Sequence, residues 1–99
     1  MQILHLFEKY DCAHMDCICT LEEVMELLPV TVHSLMLRYT DETKTLIYNW
    51  GLPEPMSIPS ILLLSVQDSK YIYPDMYDTQ EQMMAEILDF FGVLWGENG

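Results

Sequence analysis

The sequence predicts an α/β domain built on a mixed four-stranded sheet with helices on both faces, in the element order βαβαββα. Three observations carry this. Short apolar runs rich in β-formers alternate with segments of helical periodicity. The most apolar run, Ile61-Leu62-Leu63-Leu64, follows Ser57-Ile58-Pro59-Ser60. A proline cannot donate to a ladder, so it opens a strand that is buried on both faces. The last segments read as a hairpin followed by a helix, which adds an antiparallel pair to a leading βαβ unit. With 99 residues and 51% hydrophobic content, residues 1–99 fit one domain with a single core.

Ile3 to Phe7 is apolar apart from His5, too continuous for an amphipathic helix, and suits a buried first strand. After the polar turn Glu8-Lys9-Tyr10-Asp11, the residues Ile18, Leu21, Met25 and Leu28 recur at helical spacing until Pro29 stops them. Two starts are open for this helix. Thr20 with Glu23 makes a capping box, whereas the periodicity extends back to about Ala13. Val30 to Tyr39 carries β-branched residues and partial alternation, the signature of a second strand. From Asp41 to Trp50, Leu46, Ile47 and Trp50 share a helical face, and Gly51 fits the stop. Pro53 and Pro55 then hold an extended linker that delivers the chain to Pro59. Gln67-Asp68-Ser69-Lys70 reads as a turn before a short edge strand, Tyr71-Ile72-Tyr73. Thr79 with Gln82 caps the last helix, whose apolar stripe runs over Met83, Met84, Ile87, Leu88, Phe91 and Leu94. Beyond Gly92, Val93-Leu94-Trp95 forms an apolar tail suited to packing on the sheet or to a partner contact, and Glu97-Asn98-Gly99 reads as frayed.

The net charge of −12 sets 16 acidic residues against Lys9, Arg38, Lys44 and Lys70 alone. No basic patch is available to neutralise phosphates, so direct nucleic-acid binding and anionic membrane surfaces are disfavoured. A basic protein partner is attracted instead. No apolar run reaches the roughly 20 residues of a membrane helix, and the N-terminus has neither a basic n-region nor a cleavage site. The three cysteines, Cys12, Cys17 and Cys19, form an odd and local set that cannot staple a fold, which points to a reducing, cytoplasmic setting. There is no Gly-rich phosphate loop, no GxSxG and no HExxH, so nucleotide-dependent and hydrolase chemistry find no support and no cofactor is implied.

Phe7 followed five residues later by Cys12, and Ile58-Pro59-Ser60 leading into leucines, resemble the thioredoxin family. That family places a Phe at the end of its first inner strand, a reactive cysteine at this interval, and an Ile-Pro-Thr before its third strand. Thr20 falls where the family's first helix has a kinking proline. The resemblance covers nearly the whole chain and implies a thioredoxin-like three-layer sandwich. It also implies that Pro59 is cis and faces Cys12, and that the backbone of Ser57 and Ile58 is free to pair with an extended peptide.

The departures bear on function. Met15 stands where the family has its resolving thiol, Leu6 replaces the buried acid, and Asp11 replaces the Trp before the reactive cysteine. A thioether cannot resolve a mixed disulfide, so two-cysteine reduction through Cys12 and Met15 is excluded. Cys12 remains the candidate nucleophile, with Asp11 and Asp16 opposing its thiolate. Cys17 is the candidate resolving thiol only if the helix starts at Thr20; on a helix starting near Ala13 it lies about 140° around the axis from Cys12. Cys17 and Cys19 otherwise read as small core residues or spectators. The set Cys12, His14, Cys17 and Cys19 has zinc-binding residue types but the wrong spacing, and no metal site is assigned. His5 and His33 read as satisfied core or edge histidines, and His14 as a solvent-facing loop residue that could otherwise donate a proton near Cys12. The expectation is a protein-interaction module that takes a basic or extended segment of another protein at Ser57, Ile58, Pro59, Met15 and Met56, with the oligomeric state left open. The first alternative is a single-thiol thiol-disulfide oxidoreductase that uses Cys12 and an external resolving thiol. A further one is an acidic inhibitor that mimics nucleic acid.

Overall fold

In a computed structural model that describes residues 1–93, the first apolar run becomes strand β1 (Gln2–Phe7), with Ile3 to Phe7 all buried. The chain continues through α1 (Cys12–Leu27), β2 (His33–Arg38), α2 (Asp41–Asn49), β3 (Ser60–Leu64) and β4 (Ser69–Ile72). A 3-10 turn at Pro74–Met76 then leads into α3 (Gln80–Phe90). The four strands form one mixed sheet in the order β2-β1-β3-β4. β1 runs parallel to β2 and antiparallel to β3, and β4 returns antiparallel to β3.

Register divides the side chains between two apolar layers, because paired residues point to the same face. Ile3 pairs with Leu63 and His5 with Ile61, while Leu4 pairs with Leu62 and Leu6 with Ser60. The first face carries the larger core, in which Ile3, Ile61 and Leu63 meet Val24 of α1 and Ile87 and Leu88 of α3. On the second face Leu4, Leu6 and Leu62 close over Ile47 of α2. A sheet covered on both sides explains why β1 and β3 read as unbroken apolar runs rather than alternating ones.

Local chemistry fixes the ends of the helices. Thr40 and Thr79 cap α2 and α3, each accepting from the amide three residues on, at Thr43 and Gln82. Gly51, at φ +78°, ends α2 in the left-handed conformation that only glycine adopts without strain. The first helix begins at Cys12 and is capped by Asp11, ahead of both starts that the sequence left open. The second strand is shorter than the Val30 to Tyr39 segment, and five of its six residues are exposed. The hairpin also turns earlier than its composition suggests. Ser65 donates its amide to the Asp68 carbonyl at 2.9 Å, so β4 starts at Ser69 and ends before Tyr73. Leu94 of the last stripe, Trp95 and the Glu97-Asn98-Gly99 end lie outside the described residues. Among the described residues, no helix is long and apolar enough to cross a membrane.

The ion pair Lys70–Glu86, at 2.7 Å, is more than two-fifths exposed on both sides and adds little stability. Stability therefore rests on the two apolar layers. Leu63→Ala is expected to lower the unfolding free energy by roughly 2–5 kcal/mol in chemical denaturation, whereas Val66→Ala at the exposed turn changes it by less than about 0.5 kcal/mol.

Candidate functional site at the head of the first helix

Asp11, in an extended conformation, turns its carboxylate onto the start of α1, where Oδ1 accepts from the His14 amide at 2.9 Å. That bond satisfies one of the free donors of the first turn and makes Cys12 the first helical residue. Helical spacing then sorts the side chains. His14, Cys17, Leu21 and Val24 point into the core, while Cys12, Met15, Asp16 and Cys19 are exposed. The hydroxyl of buried Thr20 donates back to the Asp16 carbonyl at 2.8 Å, so the threonine needs no outside partner.

This sorting removes the resolving role considered for Cys17. It shares the helix with Cys12 rather than a loop, is fully buried, and lies on a different side of the axis. Burial, then the carboxylates of Asp16 and Asp11, push its thiol up to about 12. A thiol in that state does not attack a disulfide at neutral pH. The four soft side chains at positions 12, 14, 17 and 19 also diverge, and no group of three or more His, Cys, Asp or Glu among the described residues is placed to hold a metal ion.

His14 is not the solvent-facing loop residue its context suggests. It is fully buried, with both ring nitrogens lacking a hydrogen-bond partner. Aromatic rings enclose it: Phe7 at 4.5 Å between centroids, His5 at 4.9 Å and Tyr10 edge-on at 4.9 Å. The Arg38 guanidinium lies 5.3 Å from the Phe7 centroid and 5.9 Å from that of Tyr10, and donates to the Glu8 carbonyl at 2.9 Å. His5 is a core histidine as its strand position implies, but not a satisfied one, because its Nε2 is buried without a partner. Burial, and after it the neighbouring His14, lowers His5 from its ordinary 6.5 to about 4.

The Pro59 segment comes to the same end of the sheet. Ala13 of α1, Ser57, Ile58 and Pro59, together with Pro74 and Asp75, line a cavity of about 150 Å³. Cys12 immediately precedes Ala13 in the chain and does not itself line the cavity. The Ile58–Pro59 peptide is cis. Ile58 packs on the Leu4 and Leu6 layer, leaving Ser57 and Met56 exposed. Two tyrosines hold the approach to this loop. Tyr71 donates its hydroxyl to the Pro53 carbonyl at 2.6 Å, and the Tyr73 hydroxyl accepts from the Met56 amide at 3.0 Å. Burial raises Tyr71 to about 12, which keeps that donor protonated. The structure thus gathers Cys12, Ser57, Ile58 and Pro59 at one end of the sheet. Met15 and Met56 are exposed, at 49% and 81%, and line no part of the cavity.

Sequence reasoning missed the aromatic box and the two tyrosine ties. The first depends on which way α1 begins, and the second joins residues 17 and 18 positions apart. Neither a scan of known protein families nor a search of curated proteins finds a match to this chain.

The buried imidazole has a measurable consequence. Between about pH 6.5 and 4 the unfolded chain protonates His5 and the folded chain does not, so stability is complete above 6.5 and falls as the pH drops through that window. The loss amounts to roughly 3 kcal/mol by pH 4. His5→Leu is expected to flatten this part of the stability curve, as followed by urea unfolding at several pH values. An unchanged slope in the variant refutes the assignment.

Proposed function

We propose that the chain is a divergent thioredoxin-like protein in which the redox centre has lost its resolving thiol and the groove has been kept for binding. Its role is to hold an extended, basic segment of another protein at the end of the sheet that carries Cys12 and Pro59. The mixed sheet order, the Phe7 to Cys12 interval and the Ile58-Pro59-Ser60 approach to β3 support the family reading.

One observation carries the functional part. The cavity between Ala13 and Ser57-Ile58-Pro59 is intact, while the position that must supply a second thiol holds Met15 and the next cysteine along is in the core. A cavity open to a ligand without the chemistry for an intramolecular disulfide supports binding over reduction. Exposed Ser57 offers backbone groups for strand addition, and the net charge of −12 steers basic segments toward the molecule. A cytoplasmic location follows from the free cysteines as part of the same proposal.

The exposure of Cys12 at the first position of a helix favours a second reading, in which its thiolate forms a mixed disulfide that an external thiol resolves. Affinity capture from the source cells separates the two. On the binding reading, Cys12→Ser retains the partner caught by the wild type, whereas Ile58→Asp or Ser57→Pro reduces capture at least about tenfold, and added salt weakens it. Loss of capture in Cys12→Ser alone points to the covalent reading.

A further inference from the structure

At the β2 edge of the sheet, separated by β1 from the strand that the Pro59 loop enters, β2 pairs with β1 alone among the described residues. His33 donates to the Met1 carbonyl and Tyr39 to that of Phe7, and the parallel ladder alternates between them. Residues 33, 35, 37 and 39 thus spend their amides on β1, so Ser34, Met36 and Arg38 direct theirs outward. This edge has none of the proline, bulge or lysine devices that usually block strand addition. Instead it exposes Leu35 and Met36, at 47% and 46%.

Two of these three, Ser34 and Met36, also border a groove. Met36 pairs with His5 in register, so both face α1, and a cavity of about 310 Å³ opens there. It is lined by Ile18, Leu21, Glu22 and Met25 of α1 and by His5 and Met36. His5, only 1% exposed, leaves Nε2 without a hydrogen-bond partner. In an antiparallel hydrogen-bonded pair, the residue opposite Met36 lies on the same face as Met36. Backbone pairing with β2 and filling of the groove are therefore met by one strand in one register.

We infer that the free edge of β2 and the α1 groove form a second docking site, for an extended segment of another protein with alternating apolar residues and basic flanks. Charge selects this occupant over a second copy of the chain. Glu22 stands exposed at the groove, and Arg38, the strand's own cation, is turned toward the Glu8 carbonyl and the Phe7 and Tyr10 rings. Two copies would bring −12 against −12. The proposal is independent of the function assigned to the Cys12 end.

The probe is the peptide acetyl-Lys-Leu-Thr-Leu-Thr-Leu-Lys-amide, titrated to millimolar concentration and read by amide hydrogen exchange and NMR. At saturation the Ser34, Met36 and Arg38 amides are expected to exchange at least about tenfold more slowly, with no such change at Ser57 and Ile58. The same peptide with both lysines replaced by glutamate is expected not to bind. Met36→Glu places a carboxylate in the groove and abolishes binding, while the surface change Glu22→Gln weakens it severalfold and reduces its salt dependence. Unchanged exchange at the three amides overturns the proposal. So does equal binding of the glutamate peptide, or a dimer in which those amides are already protected without peptide.

Discussion

β1 lies between β2 and β3 and gives its backbone to both, so every side chain from Ile3 to Phe7 must enter one of two buried layers. The rest of the molecule follows from that burial. Leu4 and Leu6 require α2 beneath them, and Ile3, His5 and Phe7 require α1 and α3 above. The loop after β1 has only four residues, so it must place the head of α1 at the end of β1 itself. The same end receives Pro59, because β3 starts opposite the place where β1 finishes, with Ser60 paired to Leu6. One doubly paired strand thus brings a cysteine and a proline loop to the same end of the sheet, although Cys12 and Pro59 lie 47 positions apart in the chain.

The cost of this arrangement falls on the histidines. His5 occupies a position on β1 that faces the apolar layer, and α1 turns His14 onto it, so ring nitrogens that ordinarily reach water do not. The two imidazoles are held by contact with each other and with Phe7 and Tyr10, and the unpartnered ring nitrogens make no hydrogen bonds. A thioredoxin-like enzyme would use the neighbourhood of its reactive cysteine to manage protons. In this chain the groups nearest the head of α1 are a capping aspartate and a sealed aromatic box.

Much of the fold is legible in the sequence because its signals are local. The apolar runs at Ile3 and Ile61, the stripe of the last helix and the Thr79 cap each lie within a dozen residues. The site is legible only where motif spacing carries it, as with Phe7, Cys12 and Pro59. The start of α1 was ambiguous because Thr20 and Glu23 make a capping box that the structure does not use; Asp11 wins by bonding the His14 amide and adding two turns of helix. Once α1 begins there, Cys17 and His14 are turned inward; Cys17 is then one of the small core residues its type suggests, whereas the polar surroundings of His14 give no sign of its burial. The open edge of β2 was equally hidden, since Val30 to Tyr39 scores as a strand whether it is central or at the rim.

The central claim is that the Cys12 end binds and does not turn over. Its most direct test is a steady-state assay in which a peptide carrying a mixed disulfide with glutathione is mixed with excess free glutathione and catalytic amounts of the protein. Release of reduced peptide is then compared for the wild type and Cys12→Ser. The account predicts equal rates, both at the uncatalysed background. Multiple turnover by the wild type that Cys12→Ser abolishes would contradict it and make the chain a single-thiol oxidoreductase.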